Sequence, residues 1–158
     1  DEKIHFVKTH NTLDQYKGNS FTTNDLSLGA VYIVRDPRNL ISSMSHHYSL
    51  SYDQAYEKLI NDNASLLEKS RDGDYSNFTS LGTWSSHYKS WKNTNSFKIL
   101  FIKYEDLENN KFDTFKKIVN FINTLKNEKQ SIDEKKLINS INSTNFSNLK
   151  NKEENEEL

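Results

Sequence analysis

Three short apolar runs interrupt an otherwise polar chain, and each has the length of a strand. They are residues 4–8, 30–35 and 98–103. The last two are continuous and rich in β-branched or aromatic residues, which is typical of parallel strands that helices cover on both faces. The pattern therefore predicts a parallel sheet with helices packed against it.

Between and after these runs, apolar residues recur at intervals of three and four, the spacing of an amphipathic helix. The sharpest helix start is Asp36-Pro37, because Asp36 suits the N-cap and Pro37 suits the first helical position. Its apolar stripe runs through Tyr48, and further helices are predicted over residues 52–69, 81–91, 112–125 and around 137–141. A break is expected at residues 71–74. Strands that alternate with helices indicate a layered α/β fold.

The composition of the chain excludes several classes of protein. With 158 residues, 34% of them hydrophobic, the chain has the size of one domain with a real core. The net charge of -1 comes from interleaved basic and acidic residues, so no basic face is available for a nucleic acid. The absence of cysteine excludes disulfides, zinc-thiolate sites and thiol nucleophiles.

No apolar run approaches the roughly 20 residues that a membrane-spanning helix needs. The first residues also lack the pattern of a signal peptide. We therefore expect a soluble, cytoplasmic protein with no transmembrane segment in this chain and no nucleic-acid partner. Because a strand-like run stands at the very start, we also expect that an upstream portion is missing.

The first candidate for chemistry is Lys8-Thr9-His10, which follows the first predicted strand directly. Open α/β sheets hold their ligands at the carboxyl ends of strands. A histidine in this place can act as a general base, and a lysine can stabilise developing negative charge. The alternative is that these are ordinary loop residues.

The second candidate lies where the strand that ends at Arg35 leads into the Asp36-Pro37 helix. A guanidinium there can form a bidentate pair of hydrogen bonds with a phosphate, and the amides at the helix N-terminus also attract the anion. Ser43 is seven residues, or about two helical turns, after Asp36, so its hydroxyl lies on the same face of the helix. The segment thus predicts a phosphate site; the alternative is a plain capped helix in which Asp36 pairs with Arg35 or Arg38.

The third candidate, Tyr104-Glu105-Asp106-Leu107, follows the last predicted strand. An aromatic ring at that position can stack on a nucleotide base. The alternative is that Tyr104 closes the core while Glu105 and Asp106 cap the next helix.

The sequence does not favour a metal site or a classical nucleotide loop. His46 and His47 are adjacent, so on a helix their side chains diverge by about 100 degrees, and no HExxH spacing supports a metal centre. Neither GxxxxGK[ST] nor GxGxxG occurs among the four glycines, at positions 18, 29, 73 and 82. A nucleotide kinase, which needs such a loop and acidic magnesium ligands, is therefore not indicated.

In this order, the segments resemble those of sulfotransferases that use 3'-phosphoadenosine 5'-phosphosulfate (PAPS). Lys8-Thr9-His10 is similar to the family's Lys-Thr-His segment, and residues 31–43 to its strand-Arg-x-Pro-x-x-helix-Ser element. Residues 81–91 resemble its Gly-Ser-Trp-x-x-His-x-x-x-Trp helix, residues 104–107 its Tyr-Glu-Asp-Leu segment, and residues 143–149 its Thr-Ser-Phe stretch. We therefore expect a partial sulfotransferase domain over residues 1–152 and a charged, frayed end over residues 153–158.

The resemblance implies a fold like that of P-loop NTPases and the transfer of a sulfuryl group from PAPS, which leaves the product PAP. The acceptor would be the hydroxyl or amine of a small molecule, carbohydrate or peptide, and no metal would take part. The implied roles are general base for His10, charge stabilisation for Lys8, binding of the 3'-phosphate for Arg35 and Ser43, and binding of the adenine for Tyr104, Thr144 and Phe146.

The chain also departs from the family pattern. The family's first strand, its phosphosulfate-binding loop of the Pro-Lys-Ser-Gly-Thr-Thr type and its Arg-Lys-Gly segment have no counterpart, so we expect an incomplete fragment. Since the first strand of such a sheet is normally central, its absence exposes apolar faces and open edges and favours self-association. The alternative function is a non-catalytic module that binds PAP, another adenine nucleotide or a protein partner.

Overall fold

The computed structural model describes residues 4–69 and 75–144, and these contain four strands and six helices. The strands are β1 (Gly29–Val34), β2 (Ser65–Lys69), β3 (Tyr75–Ser80) and β4 (Lys98–Lys103). The helices are α1 (Pro37–Tyr48), α2 (Tyr52–Ile60), α3 (Trp84–Lys92), α4 (Tyr104–Asn109), α5 (Lys111–Leu125) and α6 (Glu134–Ser143). The described residues fall into two compact units, one within Asp1–Ala30 and Arg35–Ile99, the other within Val31–Val34 and Leu100–Leu158.

The second unit contains the parallel pairing of β1 with β4. Strand β1 has no charged residue, β4 is apolar between Lys98 and Lys103, and Ile102 of β4 is buried. The rings of Tyr32 and Phe101, one from each strand, lie 5.3 Å apart between centroids. The predicted α/β fold with a parallel sheet flanked by helices is confirmed.

Helix α5 begins one residue before its predicted start and packs against α4 and α6. Its predicted apolar stripe is half-buried throughout. Thr114 is buried, and its hydroxyl donates a hydrogen bond of 3.1 Å to the carbonyl oxygen of Asp106 in α4. This bond satisfies a polar group that would otherwise be buried without a partner.

Helix α1, in the first unit, begins as predicted, with Asp36 as N-cap and Pro37 as the first helical residue. It ends at Ser49, which adopts a left-handed conformation with φ of 53°. Helix α1 packs against α2, whose Ala55 is completely buried. The small alanine side chain allows close packing at this position.

The prediction of a strand over residues 4–8 is wrong, since these residues adopt no regular secondary structure. Phe6 and Val7 are 77% and 80% exposed. A strand forms only where its backbone groups pair with a neighbour, and none of the described strands pairs with this segment. The second predicted strand does form, but it spans Gly29–Val34 and so ends one residue before Arg35.

The prediction of one helix over residues 52–69 is wrong in its second half. Helix α2 ends at Ile60, and the amide of Asn63 donates to the side chain of Asn61 at 2.9 Å, a turn that asparagine favours over continued helix. The chain then enters β2, which pairs with β3 as an antiparallel hairpin that we did not predict. The predicted break at residues 71–74 lies outside the described residues.

No helix within residues 4–69 and 75–144 has the length and apolar character needed to cross a bilayer.

The start of α3 depends on Gly82, and this dependence gives a testable prediction. Gly82 has φ of +61°, and a Cβ there would lie 2.8 Å from Ser86 Oγ, which is itself hydrogen-bonded to Thr83. A left-handed backbone costs other residues roughly 1–2 kcal/mol, and overpacking adds about 1–3 kcal/mol. We expect Gly82→Ala to lower the free energy of unfolding, measured by urea denaturation, by about 2–5 kcal/mol.

Gly18→Ala is the matched control. Gly18 has φ of +80°, but a Cβ there would meet nothing within 4 Å. We therefore expect this variant to lose only the backbone contribution of roughly 1–2 kcal/mol. Equal losses for the two variants would show that the contact with Ser86 does not matter.

Candidate functional site

The Lys8-Thr9-His10 segment lies in the first unit with the side chains of Lys8 and His10 exposed. The Thr9 hydroxyl accepts a hydrogen bond of 3.0 Å from the backbone amide of Asn11. Such a bond closes a tight turn, and the turn has His10 at its centre. Thr9 thus shapes the backbone that carries His10.

Helix α3 contacts the residues that follow. Nε2 of His87 lies 3.1 Å from the carbonyl oxygen of His10, and Nε1 of Trp91 donates to the carbonyl oxygen of Asn11 at 3.0 Å. Because a carbonyl oxygen only accepts, the His87 hydrogen must be on Nε2. Burial lowers the pKa of His87 from its ordinary value and outweighs the opposing effect of its bond to the His10 carbonyl, which favours the neutral ring.

The end of β3 holds the same segment from a second side. The amide of Thr12 donates to the carbonyl oxygen of Ser80 at 2.8 Å, and the amide of Ser80 donates to Oδ1 of Asn11 at 2.9 Å. These contacts join residues 68 or more positions apart, so no local sequence pattern could indicate them. His87 and Trp91 belong to the motif of residues 81–91, which marks them as candidates but does not indicate what they contact.

Arg35 and Ser43 line one open depression of about 560 Å³ in the first unit. Arg35 is half-buried directly after β1, and Ser43 is exposed on α1. The other lining residues are Asn39, Ser42, His46 and His47. The α1 residues that line this depression recur at intervals of three and four, so they lie along one side of the helix. This spacing is visible in the sequence and could have predicted that Asn39 and the two histidines lie near Ser43.

The chemistry of this depression suits an anion that is rich in oxygen. Its lining supplies a guanidinium, two hydroxyls, an amide and two imidazoles, and none of the described lining residues carries a carboxylate. Guanidinium and hydroxyl groups are common ligands of phosphate oxygens. The residues present therefore fit a phosphate group.

Asp36 pairs with Arg38 at the start of α1. This pairing was expected for a plain capped helix, the alternative to a phosphate site. Nη2 of Arg38 lies 2.5 Å from Oδ2 of Asp36, and the backbone amide of Arg38 donates to Oδ1 at 2.9 Å. The side-chain hydrogen bonds, and after them the backbone hydrogen bond, hold the pKa of Asp36 at about 2 instead of 3.8. This ion pair is compatible with an anion site because it uses Arg38, which does not line the depression.

Tyr104 and Thr144 lie in the second unit. Tyr104 is the first residue of α4 and is 36% exposed, while Glu105 and Asp106 occupy the first turn of that helix. The Thr144 hydroxyl, at the end of α6, donates to the carbonyl oxygen of Ser140 at 2.9 Å. Phe146 lies outside the described residues.

No group of three or more histidine, aspartate or glutamate side chains that could hold a metal ion occurs in the parts of the chain that the structure describes.

Three comparisons with known proteins all find sulfotransferases. A family model for the sulfotransferase domain matches residues 1–157. Sulfotransferase 1 family member D1 from Mus musculus is 28% identical over 117 residues, which make up 73% of this chain and 36% of that protein. The crystal structure of mouse sulfotransferase SULT7A1 complexed with PAP matches with a TM-score of 0.51 and 26% identity, over 76% of this chain and 39% of that one.

This chain therefore spans well under half the length of either relative. The family model nevertheless matches nearly every residue of it, and both relatives are sulfotransferases. The chain belongs to the sulfotransferase family.

Proposed function

We propose that this chain serves the transfer of a sulfuryl group from PAPS to a hydroxyl or amine acceptor, with His10 as the general base. The observation that carries the proposal is the depression that Arg35 and Ser43 line together, in a chain of the sulfotransferase family. A solved relative of this chain is a complex with PAP. The acceptor is a small molecule, a carbohydrate or a peptide.

Binding of the nucleotide is assigned to Arg35, Ser43, Tyr104, Thr144 and Phe146. The guanidinium of Arg35 and the hydroxyl of Ser43 hold the 3'-phosphate, since charge-assisted hydrogen bonds are among the strongest available to a protein. The Tyr104 ring contacts the adenine, and Thr144 with Phe146 contacts its other side. None of these assignments requires a metal ion.

PAPS supplies a sulfuryl group that is already activated, so the protein has to position the reactants and handle charge. The acceptor oxygen or nitrogen forms a bond to sulfur while the bond from sulfur to the 5'-phosphate oxygen of PAPS breaks. His10 takes the proton that the acceptor loses, which is possible because its side chain is exposed. The Lys8 ammonium group stabilises the negative charge that develops on the departing PAP.

A second candidate function uses the same depression without the transfer step. A module that only holds PAP needs Arg35 and Ser43, which line the site together, but it does not need His10.

Two measurements on the complete gene product test these functions. Calorimetric titration with PAP measures nucleotide binding, and transfer of radiolabelled sulfate from PAPS to a panel of phenols, alcohols, amines, sugars and peptides measures catalysis. We expect saturable binding and a labelled acceptor. Binding without label in any acceptor supports the second candidate, and a failure to bind PAP overturns both.

A further inference from the structure

One face of α3 holds the backbone that carries His10. His87, Ser90 and Trp91 are spaced by three and four residues from the first of them, so their side chains project from the same face of the helix. That face meets residues 10–13, a segment about 77 positions earlier in the chain. We call these three side chains the α3 clamp.

The clamp bonds to four consecutive residues. His87 donates to the carbonyl oxygen of His10 at 3.1 Å, and Trp91 donates to that of Asn11 at 3.0 Å. Ser90 Oγ lies 2.9 Å from the hydroxyl of Thr12 and accepts from the amide of Leu13 at 3.0 Å. The contacts use backbone groups of His10, Asn11 and Leu13, so the side chain of His10 is not engaged by them.

The hydroxyl of Ser90 contacts both the segment and its own helix. It accepts a hydrogen bond from the amide of Leu13, lies 2.9 Å from the hydroxyl of Thr12, and donates its own hydrogen to the carbonyl oxygen of His87 at 2.8 Å. The single hydrogen of the Thr12 hydroxyl is shared between Ser90 Oγ and Oδ2 of Asp14, which lies 3.0 Å away. Ser90 therefore links the position of the segment to the turn of α3 that contains His87.

The clamp is buried at Trp91 and half-buried at His87 and Ser90, although the residues that it positions are exposed. Trp91 is 6% exposed and Thr12 is 7% exposed, whereas Lys8 and His10 are exposed. Buried hydrogen bonds are costly to break because the freed groups cannot pair with water. The segment is therefore fixed at Asn11 and Thr12, and the side chain of His10 projects from the end of this fixed part.

We propose that the α3 clamp positions His10 and Lys8 for sulfuryl transfer. The proposal rests on the function proposed above and adds three positioning residues to it. They act through the backbone of residues 10–13 and not by touching the nucleotide or the acceptor. None of the three lines the depression of Arg35 and Ser43, so the clamp affects the transfer step and not the affinity for PAP.

Trp91→Phe and His87→Leu test the clamp, since each removes one donor and keeps a bulky apolar side chain. A misplacement of about 1 Å can lower a rate by about 100-fold, so we expect kcat to fall by roughly 10- to 100-fold. The dissociation constant of PAP should stay within about twofold, because no clamp residue lines the depression of Arg35 and Ser43. His87→Gln restores an N–H donor and should recover most of the lost kcat.

Trp84→Phe is the matched control. Trp84 lies on the same helix, where its ring stacks on Tyr88 with 5.8 Å between centroids. We expect this variant to keep the kcat of the wild type. If it loses as much as Trp91→Phe, the effect belongs to the aromatic packing of α3, and the clamp is overturned.

Amide hydrogen exchange provides a readout that needs no catalysis. The amides of Thr12 and Leu13 donate to Ser80 and Ser90, so both should be protected in the wild type. Ser90→Ala removes the acceptor for Leu13, so exchange at that amide should become faster relative to Thr12, whose acceptor on Ser80 remains. Equal exchange in wild type and Ser90→Ala would overturn the clamp.

The outcomes separate this proposal from the one on which it rests. If the wild type transfers no sulfate, the proposed function fails, and with it the role of the clamp in transfer. If the wild type transfers sulfate but Trp91→Phe and His87→Leu keep its kcat, only the clamp fails. If one variant does not fold, the comparison of His87→Leu with His87→Gln or the exchange at Leu13 still decides the question.

Discussion

Replacement of His10 by glutamine is expected to lower kcat for the proposed sulfuryl transfer on the order of 10²- to 10⁴-fold, the usual contribution of a general base. Glutamine retains a polar side chain of similar length but cannot take up the acceptor proton. The backbone should not respond, because His87 bonds to the carbonyl oxygen of His10 and not to its ring. Initial rates at saturating PAPS and acceptor measure the effect.

His5→Gln is the control for this prediction. His5 is also an exposed histidine of the same segment, five positions earlier, and no role is assigned to it. The control should keep the kcat of the wild type, and His10→Gln should bind PAP with unchanged affinity in a calorimetric titration. A His10→Gln enzyme with the rate of the wild type would exclude His10 as the base.

The elements that could be predicted are those that local contacts determine. Asp36 accepts from a backbone amide two residues away, and Pro37 needs only the backbone angle of a first helical turn. Two adjacent residues, Asp36 and Pro37, were therefore sufficient to predict the start of α1. The apolar stripe of α5 was equally clear, because its spacing over fifteen residues fits only a helix.

The elements that were missed depend on partners far away in sequence. Residues 4–8 have the composition of a strand, but composition cannot supply the neighbour that a strand must pair with. Leu66 and Leu67 fit the tail of an amphipathic helix as well as a strand, and their pairing with Thr79 and Phe78 decides between the two. Short apolar runs are ambiguous for this reason.

The candidate site shows the same division. Arg35 and Ser43 were found together because one strand end and one helix face define both positions. The contacts that hold the His10 segment were not found, because they involve carbonyl oxygens that any residue possesses. In such a contact only the side-chain donor can be recognised in the sequence. His87 and Trp91 are these donors, and both belong to the motif of residues 81–91.

Replacement of Arg35 by alanine is expected to weaken PAP binding on the order of 100-fold. A hydrogen bond to a charged group contributes about 1.5–3 kcal/mol, and each 1.4 kcal/mol corresponds to about tenfold in affinity. Arg35→Lys should lose less, since an ammonium keeps the charge but not the planar fork of the guanidinium. Calorimetric titration with PAP measures all of these variants, and thermal unfolding verifies that each is folded.

Arg38→Ala makes this prediction specific to one arginine. Arg38 is three residues from Arg35, but its side chain is 88% exposed, pairs with Asp36 and does not line the depression. Removing it changes the net charge of the chain as much as Arg35→Ala does, so any general electrostatic effect on an anionic ligand appears in both variants. The affinity for PAP should stay close to that of the wild type in Arg38→Ala. Equal losses in the two variants would mean that PAP responds to the charge of this region as a whole, and the depression that contains Arg35 and Ser43 would no longer be its binding site.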